Sequence, residues 1–164
     1  MNINLIKICD TDLDLYKSWV RSLETEQVMS RFYPKHFIDT HIIDFDGCLW
    51  EKIVINEQPD QSSIPIGSIW LEKINKSDTF ATLGILIGNK EYRGKGIGKI
   101  AIEKMIRQAK DFFSNLTHII LNVRETNKAA IACYLKSGFQ IESKNEKVKD
   151  NHTIIYYEMI RILN

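Results

Sequence analysis

The stretch Gly88-Asn89-Lys90-Glu91-Tyr92-Arg93-Gly94-Lys95-Gly96-Ile97-Gly98-Lys99 decides how the rest of the chain is read. It lies between a β-rich segment, Phe80 to Ile87, and a segment with helical apolar spacing that runs to about Phe113. Such a turn leaves backbone N–H groups unpaired at the positive end of a helix, where an anion is stabilised. Glycines let the backbone approach a phosphate with no Cβ in the way, and Arg93, Lys95 and Lys99 add positive charge. A Walker loop does not fit, because Gly98-Lys99 is followed by Ile100 rather than Ser or Thr. A dinucleotide fingerprint does not fit either: Gly94, Gly96 and Gly98 form GxGxG beyond the middle of the chain, not GxGxxG after a first strand. For the turn taken alone, a glycine connector without a ligand remains the plain alternative.

Outward from the loop, Ile66 to Ile74 and Phe80 to Ile87 read as strands of a hairpin turned at Asn75 to Asp78. Gly84 inside the second strand predicts a bulge or a close backbone approach. The helix after the loop should bury Ile97, Ile100, Ala101, Met105, Ile106, Ala109 and Phe112. His118 to Val123 is a strand, and Asn127 caps a helix that stops at Gly138. Phe139 to Lys147 and His152 to Leu163 form a closing hairpin around Lys149-Asp150-Asn151. Towards the N-terminus, Ile3 to Ile8 is a strand, and Thr11 caps a helix with a stripe of Leu13, Tyr16, Trp19, Val20 and Leu23. A weaker helical or irregular stretch covers Glu26 to Phe45, interrupted at Pro34, and Cys48 to Ile55 is a strand. Asn56 to Pro65, with prolines at both Pro59 and Pro65, is expected to be a loop.

The 164 residues suit a single domain over 1–164, and 44% hydrophobic with 26% charged residues is a globular balance. Lys plus Arg number 22 against 21 Asp plus Glu, a net charge of +1, so no bulk charge favours nucleic acid or an anionic membrane. Cys9, Cys48 and Cys133 are widely spaced, which predicts neither a metal site nor a disulfide framework. Free thiols suit a reducing compartment. Met1-Asn2-Ile3-Asn4-Leu5 has no basic region leading into an apolar run, and no stretch approaches the ~18 apolar residues of a membrane span. The expectation is a cytoplasmic domain with one local site.

Two motifs together carry a resemblance. Arg93-x-x-Gly96-x-Gly98 resembles the Arg/Gln-x-x-Gly-x-Gly/Ala pyrophosphate loop of the GNAT N-acetyltransferases. Asn127-Lys128-Ala129-Ala130-Ile131-Ala132-Cys133-Tyr134-Leu135-Lys136-Ser137-Gly138-Phe139 resembles that family's second signature, Asn-x-x-Ala-x-x-x-Tyr-x-x-x-Gly-Phe. The resemblance runs from about Pro65 to the C-terminus. It implies the acyl-CoA N-acyltransferase (GNAT) fold: α/β, with a mixed, mostly antiparallel sheet, a splayed and bulged central strand, and flanking helices. It also implies transfer of an acetyl group from acetyl-CoA to a primary amine by direct attack, without metal, in a protein that often forms homodimers. Backbone groups of Leu86, Ile87 and Gly88 would hold the pantetheine arm like an added strand. Arg93 and the N–H groups of Gly94, Lys95, Gly96, Ile97, Gly98 and Lys99 would hold the pyrophosphate. Asn127 and Ala130 fall at cofactor-contacting positions, and Asn127 serves equally as a helix cap. Tyr134 falls where many relatives keep the acid that protonates the departing thiolate; a phenol of pKa ~10 is protonated at neutral pH and able to donate.

The general base is where this sequence departs from the family. One subgroup has a Glu at the position of Thr82, and the ribosomal-protein alanine acetyltransferases have one at the position of Asn122. A lysine-like amine of pKa ~10.4 loses its proton at pH 7 at a cost of about 4.6 kcal/mol, and an α-amine at only about 1 to 1.4 kcal/mol. With both carboxylates missing, the easier acceptor is an amine of low pKa. The alternative is a water chain to a more distant carboxylate such as Glu72 or Glu51. The acceptor side, implied to be built by the first helices and the closing hairpin, offers Trp19, Glu24, Glu26, Phe32, Tyr33 and His36. Acidic and aromatic groups suit a cationic amine.

Overall fold

A computed structural model of the chain describes residues 1–24, 26, 29–37, 46–59 and 62–164. The strands are β1 (Asn2–Lys7), β2 (Cys48–Asn56), β3 (Ile64–Glu72), β4 (Phe80–Ile87), β5 (His118–Arg124), β6 (Gln140–Lys149) and β7 (His152–Ile162). The helices are α1 (Leu13–Glu24), α2 (Ile97–Phe112) and α3 (Lys128–Lys136). The strands form one seven-stranded sheet in the order β1-β2-β3-β4-β5-β7-β6. Every pairing is antiparallel except β4 with β5.

The sheet divides the core in two. On one face α2 covers Ile53, Ile55, Ile69, Leu71, Leu83, Leu121 and Met159. On the other, α1 packs Leu13, Tyr16, Val20 and Leu23 against Trp50, Trp70 and Leu86. The α2 stripe departs from its expectation at two places. Ile102 is buried and Ile100 is 43% exposed; Phe113 is buried and Phe112 is 46% exposed. Phe113 lies just past the helix end with an extended backbone, which turns it inward.

Thr11 is not the cap of α1: it lies inside a 3-10 turn, Asp10–Asp12, and the Cys9 N–H donates to Asp12 Oδ2 at 2.9 Å instead. Pro65 belongs to β3, not to a loop, and it faces Val54 where the β2–β3 register shifts. A proline is tolerated at such an irregularity because its missing N–H breaks no ladder there. Residues 29–37 contain no helix, and the remainder of the expected Glu26 to Phe45 stretch at 27, 28 and 38–45, with 60 and 61 of the Asn56 to Pro65 loop, lies outside the described residues. The closing hairpin turns through Asp150 and Asn151, both at positive φ (50° and 61°), the pattern that matches strand twist in a tight hairpin.

Candidate active site

The site begins where the parallel pair comes apart. β4 and β5 pair at Phe80↔His118, Ala81↔Ile119 and Thr82↔Ile120 and no further. Beyond Thr82, β4 stays bonded to β3 up to Gly67↔Ile87, and β5 stays bonded to β7 up to Arg124↔Tyr156. The two strands therefore bound a wedge whose inner edges carry backbone groups without a neighbouring strand. The β3–β4 register runs without a shift through Gly84, so the bulge expected of the central strand is not in this ladder. Gly84 marks a close approach: a Cβ there would lie 2.0 Å from the Trp70 ring, which crosses over it. Gly88, at the mouth of the wedge, is covered in the same way by Trp19, 2.1 Å from a Cβ built at that position.

The glycine loop follows directly. Gly94 and Gly96 have φ of +73° and +77°, and a Cβ at either would meet nothing within 4 Å. These glycines are required by backbone conformation, not by crowding. Alternating left- and right-handed residues turn successive N–H groups into one concavity, a common anion site. Among the described residues no group accepts from the N–H of Gly94, Lys95, Gly96, Ile97, Gly98 or Lys99. The N-terminus of α2 opens at the same point and adds its dipole.

Arg93 faces elsewhere. Its Nε donates to the Ile87 carbonyl at 2.9 Å and its Nη1 donates to both Glu26 carboxylate oxygens at 3.0 Å. Lys90 adds a 3.3 Å ion pair to Glu26. The Arg93 guanidinium lowers the Glu26 pKa below the usual carboxylate range, mainly through that hydrogen bond. Arg93 thus ties the segment after α1 to the end of β4, and its Nη2 is buried with no hydrogen-bond partner among the described residues. Besides Lys90, which is exposed but paired to Glu26, the exposed cations of the loop are Lys95, whose Nζ lies 5.1 Å from the Tyr92 ring centroid, and Lys99.

α3 carries the second motif. Asn127 caps it, Oδ1 accepting from the Ala130 N–H at 3.2 Å, and Ala130 is half-buried against the core. At the other end Gly138 sits at φ +79°, its N–H donating to Leu135 O at 3.1 Å, while Phe139 N–H donates to Tyr134 O at 3.0 Å. This pair of bonds is a Schellman stop, and it brings the Phe139 ring edge-on to Tyr134 at 6.0 Å. The stop therefore sets the direction of Tyr134. Burial pushes the Tyr134 phenol well above its usual pKa, and among the described residues its hydroxyl makes no hydrogen bond. The group stays protonated at neutral pH with its donor unused.

The sequence profile of the acetyltransferase (GNAT) family matches residues 13–139. The chain belongs to the GNAT acetyltransferase family. No curated protein matches it. Among solved structures it is similar to a GCN5-related N-acetyltransferase from Kribbella flavida, at TM-score 0.77 and 16% identity over 98% of both chains. It is similar to spermidine N-acetyltransferase from Vibrio cholerae, solved with CoA and spermine, at TM-score 0.71 and 20% identity over 98% of this chain and 95% of that one. The microcin self-immunity acetyltransferase MccE, solved with acetyl-CoA and AMP, matches at TM-score 0.73 and 18% identity over 98% of this chain and 92% of that one. At these identities the likeness shows a shared GNAT fold.

On this GNAT scaffold the two distant carboxylates considered from sequence do not face the wedge as free bases. Glu72 is fully buried, accepts from the Lys35 N–H with both oxygens at 2.8 Å, and meets His36 Nδ1 at 3.1 Å and Arg31 Nη1 at 3.6 Å. It anchors the segment 31–36. Glu51 lies on the α2 face, where burial raises its pKa and the Gln108 amide, oriented with its nitrogen inward, meets it at 2.8 Å. The acceptor-side aromatics are mostly structural. Tyr16 donates its hydroxyl to the Phe32 carbonyl, and Tyr33 stacks on Phe37 at 4.8 Å. Trp19 reaches the wedge, over Gly88; Glu24 is exposed, and His36 is held by Glu72. Among the described residues no cluster of His, Cys, Asp and Glu could hold a metal, and no helix is long and apolar enough to cross a membrane.

Proposed function

We propose that this protein moves an acetyl group from acetyl-CoA to a primary amine by direct attack, acting as one domain over residues 1–164. The observation that carries the reading is the wedge between β4 and β5 opening beside a concavity of unpaired N–H groups at the start of α2. A flexible amide-bearing arm with a pyrophosphate at its end matches both parts at once. Backbone groups of Leu86, Ile87 and Gly88 hold the arm, with the Ile87 carbonyl already given to Arg93. The N–H groups from Gly94 to Lys99 hold the pyrophosphate, Lys95 and Lys99 add charge from outside, and Arg93 stiffens the loop. Asn127 and Ala130 present the start of α3 to the cofactor. Tyr134 donates to the sulfur as the C–S bond breaks, keeping thiolate charge from developing unpartnered. The acceptor is a small-molecule amine or a protein or peptide N-terminus. The three free thiols support a cytoplasmic setting.

Acetyl-CoA at 100 times its dissociation constant should stabilise the protein by about 2.7 kcal/mol, a melting rise of roughly 5–11 °C at this size. NAD and ATP should not reproduce it, and no shift with acetyl-CoA would overturn the reading. A panel of α-amino peptides, polyamines and aminoglycosides, followed by release of free CoA, then identifies the acceptor. Thr82 and Asn122 favour a second reading, a CoA-binding sensor of the same fold. A melting shift with no CoA release from any amine selects that one.

A further inference from the structure

We infer that Glu158 on β7 is the carboxylate that takes the proton from the acceptor amine, in place of the two that this chain lacks; the inference rests on the acetyl-transfer reading above. The sheet register places it. Thr82, Gly84 and Leu86 of β4 point to the α1 face, as do Trp50 and Trp70 beside them, because alternate residues share a face. On β5 the same face carries Ile120 and Asn122, since Leu121 and Val123 are buried on the α2 side. Asn122 pairs directly with Glu158, whose neighbour Met159 is fully buried on the α2 side. One row across the α1 face therefore reads Trp50, Trp70, Gly84, then the open wedge, then Asn122 and Glu158. Directly opposed side chains have Cβ atoms about 4.5–5.5 Å apart, so the longer Glu158 side chain can reach the space that Asn122 fronts.

Three further observations support the assignment. Glu158 is half-buried, and among the described residues no hydrogen bond or ion pair engages its carboxylate. Opposite it the β6–β7 register shifts, with Ile141↔Met159 followed by Ser143↔Glu158, and bulges commonly re-aim side chains next to sites. Glu72 and Glu51 are both committed elsewhere. Among the described residues, register places on the Glu158 face Arg124, diagonal to it on β5 and bonded to Ser30 Oγ, Tyr156 two residues back on β7, and Lys147 of β6, whose Nζ lies 5.6 Å from the Tyr156 ring; Glu142 occupies the β6 bulge opposite.

In the step proposed, an ammonium proton passes to a Glu158 oxygen, directly or through one water. The freed lone pair forms the N–C bond to the thioester carbon. The C–S bond then breaks with its electrons on sulfur, and Tyr134 protonates that thiolate while recovering the second nitrogen proton. Glu158 returns its proton to solvent. One proton is released for each acetyl transferred.

The test is Glu158→Gln, with steady-state CoA release measured on an alkyl amine of pKa ~10.4 and on an α-amino peptide. A positioned general base contributes on the order of 100-fold or more. We expect a deficit of about that size for the alkyl amine at pH 7, a smaller one for the α-amine, and a narrowing of both as pH approaches the pKa of the free amine. Acetyl-CoA affinity should stay at the wild-type value. Adding Asn122→Glu, which puts a carboxylate in the same space, should recover rate. An active wild type with an unaffected variant, or with a deficit equal at all pH values, overturns the assignment alone. A wild type that acetylates no amine overturns the acetyl-transfer reading and this assignment with it.

Discussion

Gly96 offers a direct measure of the loop. It is the residue before α2, it sits at φ +77°, and the space where its Cβ would lie is empty. Replacing it with alanine therefore introduces no clash, and the cost is conformational alone. An L-residue in the left-handed region is less stable by about 1–2 kcal/mol, which at this chain length lowers the melting temperature by roughly 2–8 °C. Asparagine enters that region more readily, so Gly96→Asn should cost less than Gly96→Ala. The second consequence is functional. If the loop escapes strain by rotating Gly96, the concavity opens and N–H groups stop converging. A hydrogen bond to a charged group is worth about 1.5–3 kcal/mol, so acetyl-CoA affinity should fall tenfold or more. Thermal melting and isothermal calorimetry on the same three proteins separate the two effects. A wild-type melting temperature for Gly96→Ala, or equal losses for Ala and Asn, would refute the backbone argument. Lost stability with unchanged affinity for acetyl-CoA would refute the cradle. Gly98→Ala is the contrasting case: its Cβ would stand 3.0 Å from Cys133 Sγ, so Cys133→Ala should relieve it, and nothing comparable exists for Gly96.

Tyr134→Phe should lower kcat about 100-fold or more while acetyl-CoA affinity and melting temperature hold, read from CoA release beside a cofactor titration. Gly84→Ala drives a Cβ to 2.0 Å from the ring of Trp70, itself 1% exposed, and should destabilise by about 1–3 kcal/mol in urea unfolding at constant m. For Glu26→Gln the sign follows from the Arg93 hydrogen bond that lowers the folded-state pKa of Glu26. The stabilisation is fully present above the unfolded value of ~4.3 and is lost as pH falls through the lower folded value. The variant should therefore be less stable at pH 7 by about 1 kcal/mol, and the two melting curves should converge as pH drops below ~4.3. Equal spacing at all pH values would remove Arg93 as the cause.

Features written in short sequence windows were legible before any coordinates. The glycine turn into α2, the Asn127 cap and the Gly138 stop each depend on a few adjacent residues, and each appears where the sequence places it; the left-handed φ of Gly94 and Gly96 was added by the structure. Periodicity located α1 and α2 but misassigned Ile100 and Phe112. An apolar residue at the edge of a helical stripe belongs to the core or to solvent according to what packs there, and Ile102 and Phe113 won those places. Arg93 shows the limit most clearly. Its spacing from Gly96 and Gly98 marks the loop, yet its guanidinium reaches Glu26, 67 positions away, and no local pattern encodes that partner.

Taken alone, the amino-acid order determined the glycine loop at the start of α2, because a concavity of N–H groups at a helix start is built from consecutive backbone groups. It also determined that the two usual carboxylates are absent, since Thr82 and Asn122 are read off directly. Only the tertiary structure decided what surrounds those vacancies. Glu72 is spent on the segment 31–36, Glu51 lies under α2, and Glu158 stands beside Asn122. Those three placements follow from strand register and from which face each residue takes. Register is fixed by burial summed over the whole sheet, since a one-residue slip would turn every apolar side chain of a strand out of its core.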